Sequence, residues 1–174
     1  MLQRITPRIV WPPFRRTWLA WVILAWFMGG GARAQSAPAV PFASDLAVDA
    51  ALARRQHLSL LILFSLPSCP YCREVIRDYL VPMQRDPAYR RKILIRQVEI
   101  DSTAMLRDFS GKETTQRRFA RRYRVKLAPT IVLVDAQGRL LAKPLVGVTI
   151  PDYYGGFLDE AIDQAWRRVR HGSR

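Results

Sequence analysis

SLLILFSLPSCPYC, residues 59–72, joins an unbroken apolar run to the two cysteines of the chain. Ser59 to Ser65 has the length of a strand and no polar alternation, which predicts a strand covered on both faces. Leu66-Pro67-Ser68 breaks the run, and Cys69-Pro70-Tyr71-Cys72 then opens what reads as a helix, with Pro70 in the first turn where its missing N–H would have no partner. Val75, Ile76, Tyr79 and Leu80 recur at spacings of three and four, so the helix is predicted from Pro70 to about Leu80, before Pro82 interrupts it.

Working outward, Ser44 is the expected cap of a helix from Asp45 to about Gln56, with Leu46, Ala50 and Ala53 on its inner side. A short turn around Pro87 to Lys92 precedes a second strand, Ile93 to Ile100, and Asp101 to Lys112 reads as a polar loop. Thr114 or Thr115 caps a helix to Arg124 that buries Phe119, Ala120 and Tyr123. Thr130 to Val134 is a third strand. The turn Asp135-Ala136-Gln137-Gly138 returns it as a fourth, Arg139 to Val146, in an antiparallel hairpin whose Pro144 places it at the sheet edge. A helix from Asp152 to Val169 closes the chain, its apolar face made by Phe157, Leu158, Ala161, Ile162, Ala165, Trp166 and Val169. The pattern is that of a single α/β domain, a sandwich with a mixed central sheet.

The first 34 of the 174 residues differ in character. A basic, acid-free stretch to Arg16 leads into the apolar run Trp18 to Met28, which is short for a membrane span, and then into three glycines and Ala32-Arg33-Ala34. This predicts a signal peptide (residues 1–34) cleaved after Ala34 and a periplasmic destination; the rival reading is a retained membrane anchor. Arg15-Arg16 loosely resembles a twin-arginine signal, and the Sec route is equally compatible. Residues 35–43, with Pro38 and Pro41, form a flexible lead-in, 44–170 the domain, and 171–174 a tail. Loss of the five leader arginines lowers the net charge from +14 to +9, which still favours acidic partners or anionic headgroups. Nucleic acid is not an expected partner, since no zinc-finger, helix-turn-helix or RNP-like signature is present.

The chemistry lies in the cysteine pair. Positions i and i+3 on a first helical turn share a side, close enough for a disulfide to open and close with little backbone movement. Free N–H groups and the positive end of the helix dipole favour thiolate at Cys69, the attacking species in disulfide exchange, leaving Cys72 as resolving thiol. Arg73 adds electrostatic help to the thiolate or is simply solvated. An inert staple is the rival, but a bridge closing so small a loop removes little entropy from the unfolded chain. A metal site is the other. Two thiolates can hold Cu(I), whereas zinc takes four ligands and His57 and His171 stand apart in sequence, so no stable metal is expected and no cofactor beyond the Cys69–Cys72 dithiol.

The strand, the Cys69-Pro70-Tyr71-Cys72 motif opening a helix, and Leu127-Ala128-Pro129-Thr130 leading into another strand resemble the thioredoxin superfamily from Ser44 to Val169. The resemblance implies the three-layer α/β/α thioredoxin-like sandwich. It also implies a cis Pro129 beside the disulfide, support of the site by Pro70, Tyr71 and Pro129, and contact of Ala128 and Thr130 with the extended chain of a bound substrate. Pro70-Tyr71 is the inner pair typical of glutaredoxins, but residue 128 is Ala, so their Thr-Val-Pro pattern is not reproduced. Phe64-Ser65 to Cys72, the insertion after Asp101 and Arg121-Arg122-Tyr123-Arg124-Val125 look most like periplasmic thioredoxins of the SoxW type. Those act on protein thiols and disulfides as reductases, and the resemblance implies a membrane electron donor. Leu63 stands where thioredoxins carry a buried acid, which leaves a disulfide-introducing oxidant as the alternative within the class and a copper-handling module as the alternative outside it.

Arg117, Arg118, Arg121 and Arg122 make a positive stripe on their helix, either a solvated face or a docking surface for an acidic partner. Arg167, Arg168 and Arg170 lie at a helix C-terminus, where cations meet the dipole favourably.

Overall fold

In a computed structural model, residues 39–148 and 150–172 are described; the expected signal peptide, its expected cleavage site and the start of the expected lead-in lie outside them. The elements are α1 (Leu46–Gln56), β1 (Ser59–Ser65), α2 (Pro70–Val75), a π-helical turn (Ile76–Leu80), α3 (Val81–Arg85), α4 (Pro87–Arg90), β2 (Ile93–Glu99), β3 (Met105–Arg107), β4 (Glu113–Thr115), α5 (Gln116–Arg122), β5 (Thr130–Val134), β6 (Leu145–Val146) and α6 (Pro151–Gly172). No helix among the described residues is long and apolar enough to cross a membrane.

The main sheet runs β2-β1-β5-β6, with β1 parallel to β2 and antiparallel to β5, so it is mixed. All seven residues of β1 are buried because both faces are covered. Leu61 and Leu63 pack under Val75 and Leu80 and under Leu158 and Ile162 of α6. Leu60, Ile62 and Phe64 pack on the other side with Leu46 of α1 and Phe119 of α5. Period-two alternation through one strand thus feeds two cores, and the result is the three-layer α/β/α sandwich.

Several boundaries move from their sequence-based positions. Asp45, not Ser44, caps α1, its Oδ1 accepting from Ala47 and Val48 N–H at 3.0 Å each. His57, in a left-handed conformation, ends that helix as the C-cap. Pro82 does not stop the helix begun at Pro70. The preceding turn widens so that Val81 N–H reaches Ile76 O, which accommodates the proline ring and its missing donor. The expected loop 101–112 contains β3, which pairs with β4 and buries Leu106.

Thr115 is the cap of α5, which ends at Arg122 rather than Arg124, because Tyr123 turns inward to donate its hydroxyl to Gly138 O at 2.8 Å. The fourth strand shrinks to Leu145–Val146. Leu140 bridges Val134 and Leu145 pairs with Ile131, so the returning chain holds two extra residues around Pro144. α6 runs on into the expected tail, and Phe157, 46% exposed, lies off its buried stripe.

Two ionic nodes tie the layer of α1 and α5 down. Asp49, buried on α1, takes Arg96 of β2 in a two-pronged bond, Nε to Oδ2 at 2.8 Å and Nη2 to Oδ1 at 2.5 Å. Asp108, buried after β3, accepts from the N–H groups of Ser110 and Lys112 at 3.0 Å, the Ser110 hydroxyl at 2.7 Å, and Arg122. Burial pushes the Asp108 carboxyl up, but Arg122, Ser110 and Lys112 together outweigh it and hold it at about 2, against an ordinary 3.8. The folded state therefore binds the fewer protons there, so the stabilisation is complete above about pH 4 and fades as the pH falls towards 2. Asp108→Ala is expected to lose about 1 to 2 kcal/mol at pH 7, discounted because Arg122 is half exposed, with the gap to the wild type closing by pH 2. Urea melts at pH 7, 4 and 2.5 check it; a gap independent of pH would contradict the assignment.

Candidate active site

The C-terminal end of β1 delivers Leu66-Pro67-Ser68 to Cys69, whose N–H bonds back to Leu66 O at 3.2 Å and whose extended backbone makes it the N-cap of α2. Pro70 takes the first helical turn, as the sequence predicts. Cys69 and Cys72 are joined in a disulfide with Cα atoms 5.2 Å apart. Cys72 N–H donates to Cys69 Sγ at 3.1 Å, so the sulfur occupies the position in which a capping oxygen normally satisfies a free helix donor. The two sulfurs are unequal in access: Cys69 is 9% exposed and Cys72, one turn inside, 2%.

Other residues singled out in the sequence converge on the same end of the sheet. Thr130 pairs with Phe64, the penultimate residue of β1, so Pro129 enters the sheet beside the strand end that leads to Cys69. The Ala128–Pro129 peptide bond is cis, and Pro129 O accepts from Gly147 N–H at 2.8 Å. Thr130 is buried, with its hydroxyl donating to Leu127 O at 2.8 Å, whereas Ala128 is half-buried and Tyr71 projects outward, 61% exposed. Arg73 is exposed beside Cys72.

The structure adds two features. Leu127, 63% exposed, precedes the Ala128–Pro129 bond, and Val146, also exposed, is the cross-strand partner of Thr130 that follows it. The one sequence signal for Leu127 is an apolar residue following the basic run 121–126. Behind the cysteines, Leu63 is fully buried, and the polar group nearest along its strand face is Ser65, whose hydroxyl accepts from Gln97 Nε2 at 2.9 Å. The buried carboxylates among the described residues, Asp49 and Asp108, belong to the opposite layer, and the buried Tyr154 in the Leu63 core has its hydroxyl ionisation pushed up by burial. Among the described residues no fully buried carboxylate lies in the layer of Leu63, and the half-buried Glu99 pairs with Ser65 at that end of the sheet.

The described residues hold no group of three His, Cys, Asp or Glu side chains placed to share a metal ion. His57 and His171, distant in sequence, line one groove at the other end of the sheet, where β1 begins.

Among curated proteins no match is found. Solved structures that resemble the chain include oxidised mitochondrial thioredoxin 3 of Saccharomyces cerevisiae (18% identity, 71% of this chain and 93% of that one, TM-score 0.48). The periplasmic thioredoxin SoxS of Paracoccus pantotrophus in reduced form is another (18% identity, 62% and 98%, TM-score 0.43). A third is Trxlp of Edwardsiella tarda (22% identity, 68% and 95%, TM-score 0.44). The thioredoxin-like domain family matches residues 46–162, from the start of α1 to within α6 and well over half of the chain, and the protein belongs to that family.

Proposed function

We propose that the protein is an exported, periplasmic thiol-disulfide oxidoreductase of the SoxW type that reduces disulfides in partner proteins through Cys69 and Cys72 and is itself re-reduced by a membrane electron donor. The observation that carries exchange at Cys69 is the Cys72 N–H aimed at Cys69 Sγ, because that donor stabilises negative charge on the sulfur that has to attack, while the reducing direction rests on the SoxW-type resemblance. The leader-like residues 1–34 support export.

In the reducing direction the Cys69 thiolate attacks one sulfur of the partner disulfide. A Cys69–partner disulfide forms, and the partner's other sulfur leaves as thiolate and takes a proton from solvent. Cys72 then gives up its proton and attacks Cys69 Sγ. The Cys69–Cys72 disulfide forms, the second partner thiol is released, and two electrons have passed from the dithiol to the partner. Pro70 and Pro129 shape the approach, and the half-buried Ala128 offers backbone to an extended partner chain.

Cys72→Ser is expected to accumulate mixed disulfides on Cys69, isolable from the periplasm and identifiable by mass, while Cys69→Ser accumulates few. Equal trapping by the two variants would reject the assignment of attacking and resolving sulfurs. The opposite direction, disulfide introduction, is favoured by the same N–H donor, since a stabilised reduced form makes a stronger oxidant. The reduction potential separates the two, near about −270 mV for a reductant and near about −120 mV for an oxidant.

A further inference from the structure

The positive charge that the redox reading leaves unused gathers at the end of the sheet remote from the cysteines. α1 finishes in Arg54-Arg55-Gln56-His57, Arg90 ends α4 with Arg91 directly after it, and α6 finishes with Arg167 and Arg168 in its last turns. His57, Arg90, Arg91, Trp166, Arg167 and His171 line an open groove of about 930 Å³. A second hollow shares His57 with it and adds Arg54, Arg139 and Arg168, so the basic surface continues around the ends of α1 and α6. Two nearby carboxylates are already engaged, Asp163 by Lys92 and Asp135 by Arg139. Among the described residues, Arg54, Arg55, Arg90, Arg91, Arg167 and Arg168 form no ion pair.

We infer that this end of the protein docks on an anionic membrane surface, through the phosphates of lipid headgroups. The charge is spread over three separate elements around an open hollow, which suits a field of many phosphates better than one small anion. Each basic side chain close to such a surface adds to the attraction. Trp166 strengthens the fit. It is half-buried, with Lys92 Nζ 5.8 Å and Arg170 Cζ 4.8 Å from its ring centre, an amphipathic ring among cations as at a headgroup layer. β1 begins at Ser59 beside this groove and ends before Cys69, so its seven residues separate the two by roughly 20 Å.

Co-sedimentation of the protein lacking residues 1–34 with vesicles of phosphatidylcholine alone or with one third phosphatidylglycerol tests the inference. Binding is expected on the anionic vesicles only, and falling as salt rises. The triple variant Arg90→Gln, Arg91→Gln, Arg167→Gln is expected to bind at least tenfold less. Arg117→Gln, Arg118→Gln, Arg121→Gln removes the same charge from α5 and keeps the binding. Thermal melts establish that both variants are folded, and insulin reduction in solution is unchanged in the first. Equal binding to neutral vesicles, equal loss in the two triples, or no binding to either vesicle overturns the inference, and none of these outcomes bears on the cysteine chemistry.

Discussion

Cys69→Ser is expected to lower insulin disulfide reduction by about a thousandfold or more. Disulfide exchange needs a sulfur anion at the point of attack, and a serine hydroxyl neither ionises near neutral pH nor exchanges with a disulfide sulfur. Cys72 cannot take over. It lies a turn deeper at 2% exposure, and the N–H that would stabilise the attacking atom is its own, directed at position 69. The variant should remain folded, because a bridge spanning residues 69–72 contributes at most about 2 kcal/mol. Turbidity of insulin in the presence of dithiothreitol gives the rate and circular dichroism gives the fold. A folded Cys69→Ser protein that kept a tenth of the activity would remove Cys69 from the mechanism.

Phe119→Ala should produce the largest loss of stability among single truncations on the α1/α5 side, about 3 to 5 kcal/mol. Phe119 is 1% exposed and central to a group of rings, with centroids 5.2 Å from Tyr123, 6.1 Å from Phe109 and 6.2 Å from Phe64. Its removal leaves a void against side chains from β1, the loop after β3 and the end of α5, none of which can close it alone. The neighbouring turn shows how tightly this corner is packed. Gly138, at φ 78°, could not accept a side chain, because a Cβ there would stand 2.6 Å from Phe109 Cδ2 and 2.9 Å from the Tyr123 hydroxyl. In a thermal melt the loss corresponds to a fall on the order of 10 to 15 °C. A fall of under about 3 °C would show that the corner can collapse around the missing ring.

What was legible in the sequence follows the strength of the local signal. β1 and the cysteine helix announce themselves, since five consecutive apolar residues between two serines, a breaker and a proline at the first turn leave one arrangement that buries the run and caps the helix. The same holds for Pro129 as the entry to β5. The π turn before Pro82 was not legible, because a local widening that rescues a helix from proline leaves no compositional trace. β3 and β4 were hidden for a different reason. Three-residue strands are too short to show a period, and only pairing with each other and the burial of Leu106 define them. The two extra residues around Pro144 depend on cross-strand register, which pattern cannot supply. Within the site, Cys69, Pro70, Tyr71 and Cys72 come from one motif. The Ser65–Gln97 pair and the exposure of Leu127 arise only once β1, β2 and β5 lie side by side.

The segment 41–43 runs alongside β2, with Gln97 N–H on Pro41 O at 2.9 Å, Ala43 N–H on Gln97 O at 2.8 Å, and Phe42 bridging Gln97 in parallel. β2 is the outermost strand on that side, and its backbone groups would otherwise face solvent as a template for a second copy. These few residues therefore act as a guard against edge-to-edge aggregation. A shortened protein beginning after Ala43 would retain its cysteines and, without Val40 and Ala43, most of its core, yet lose its colloidal safety.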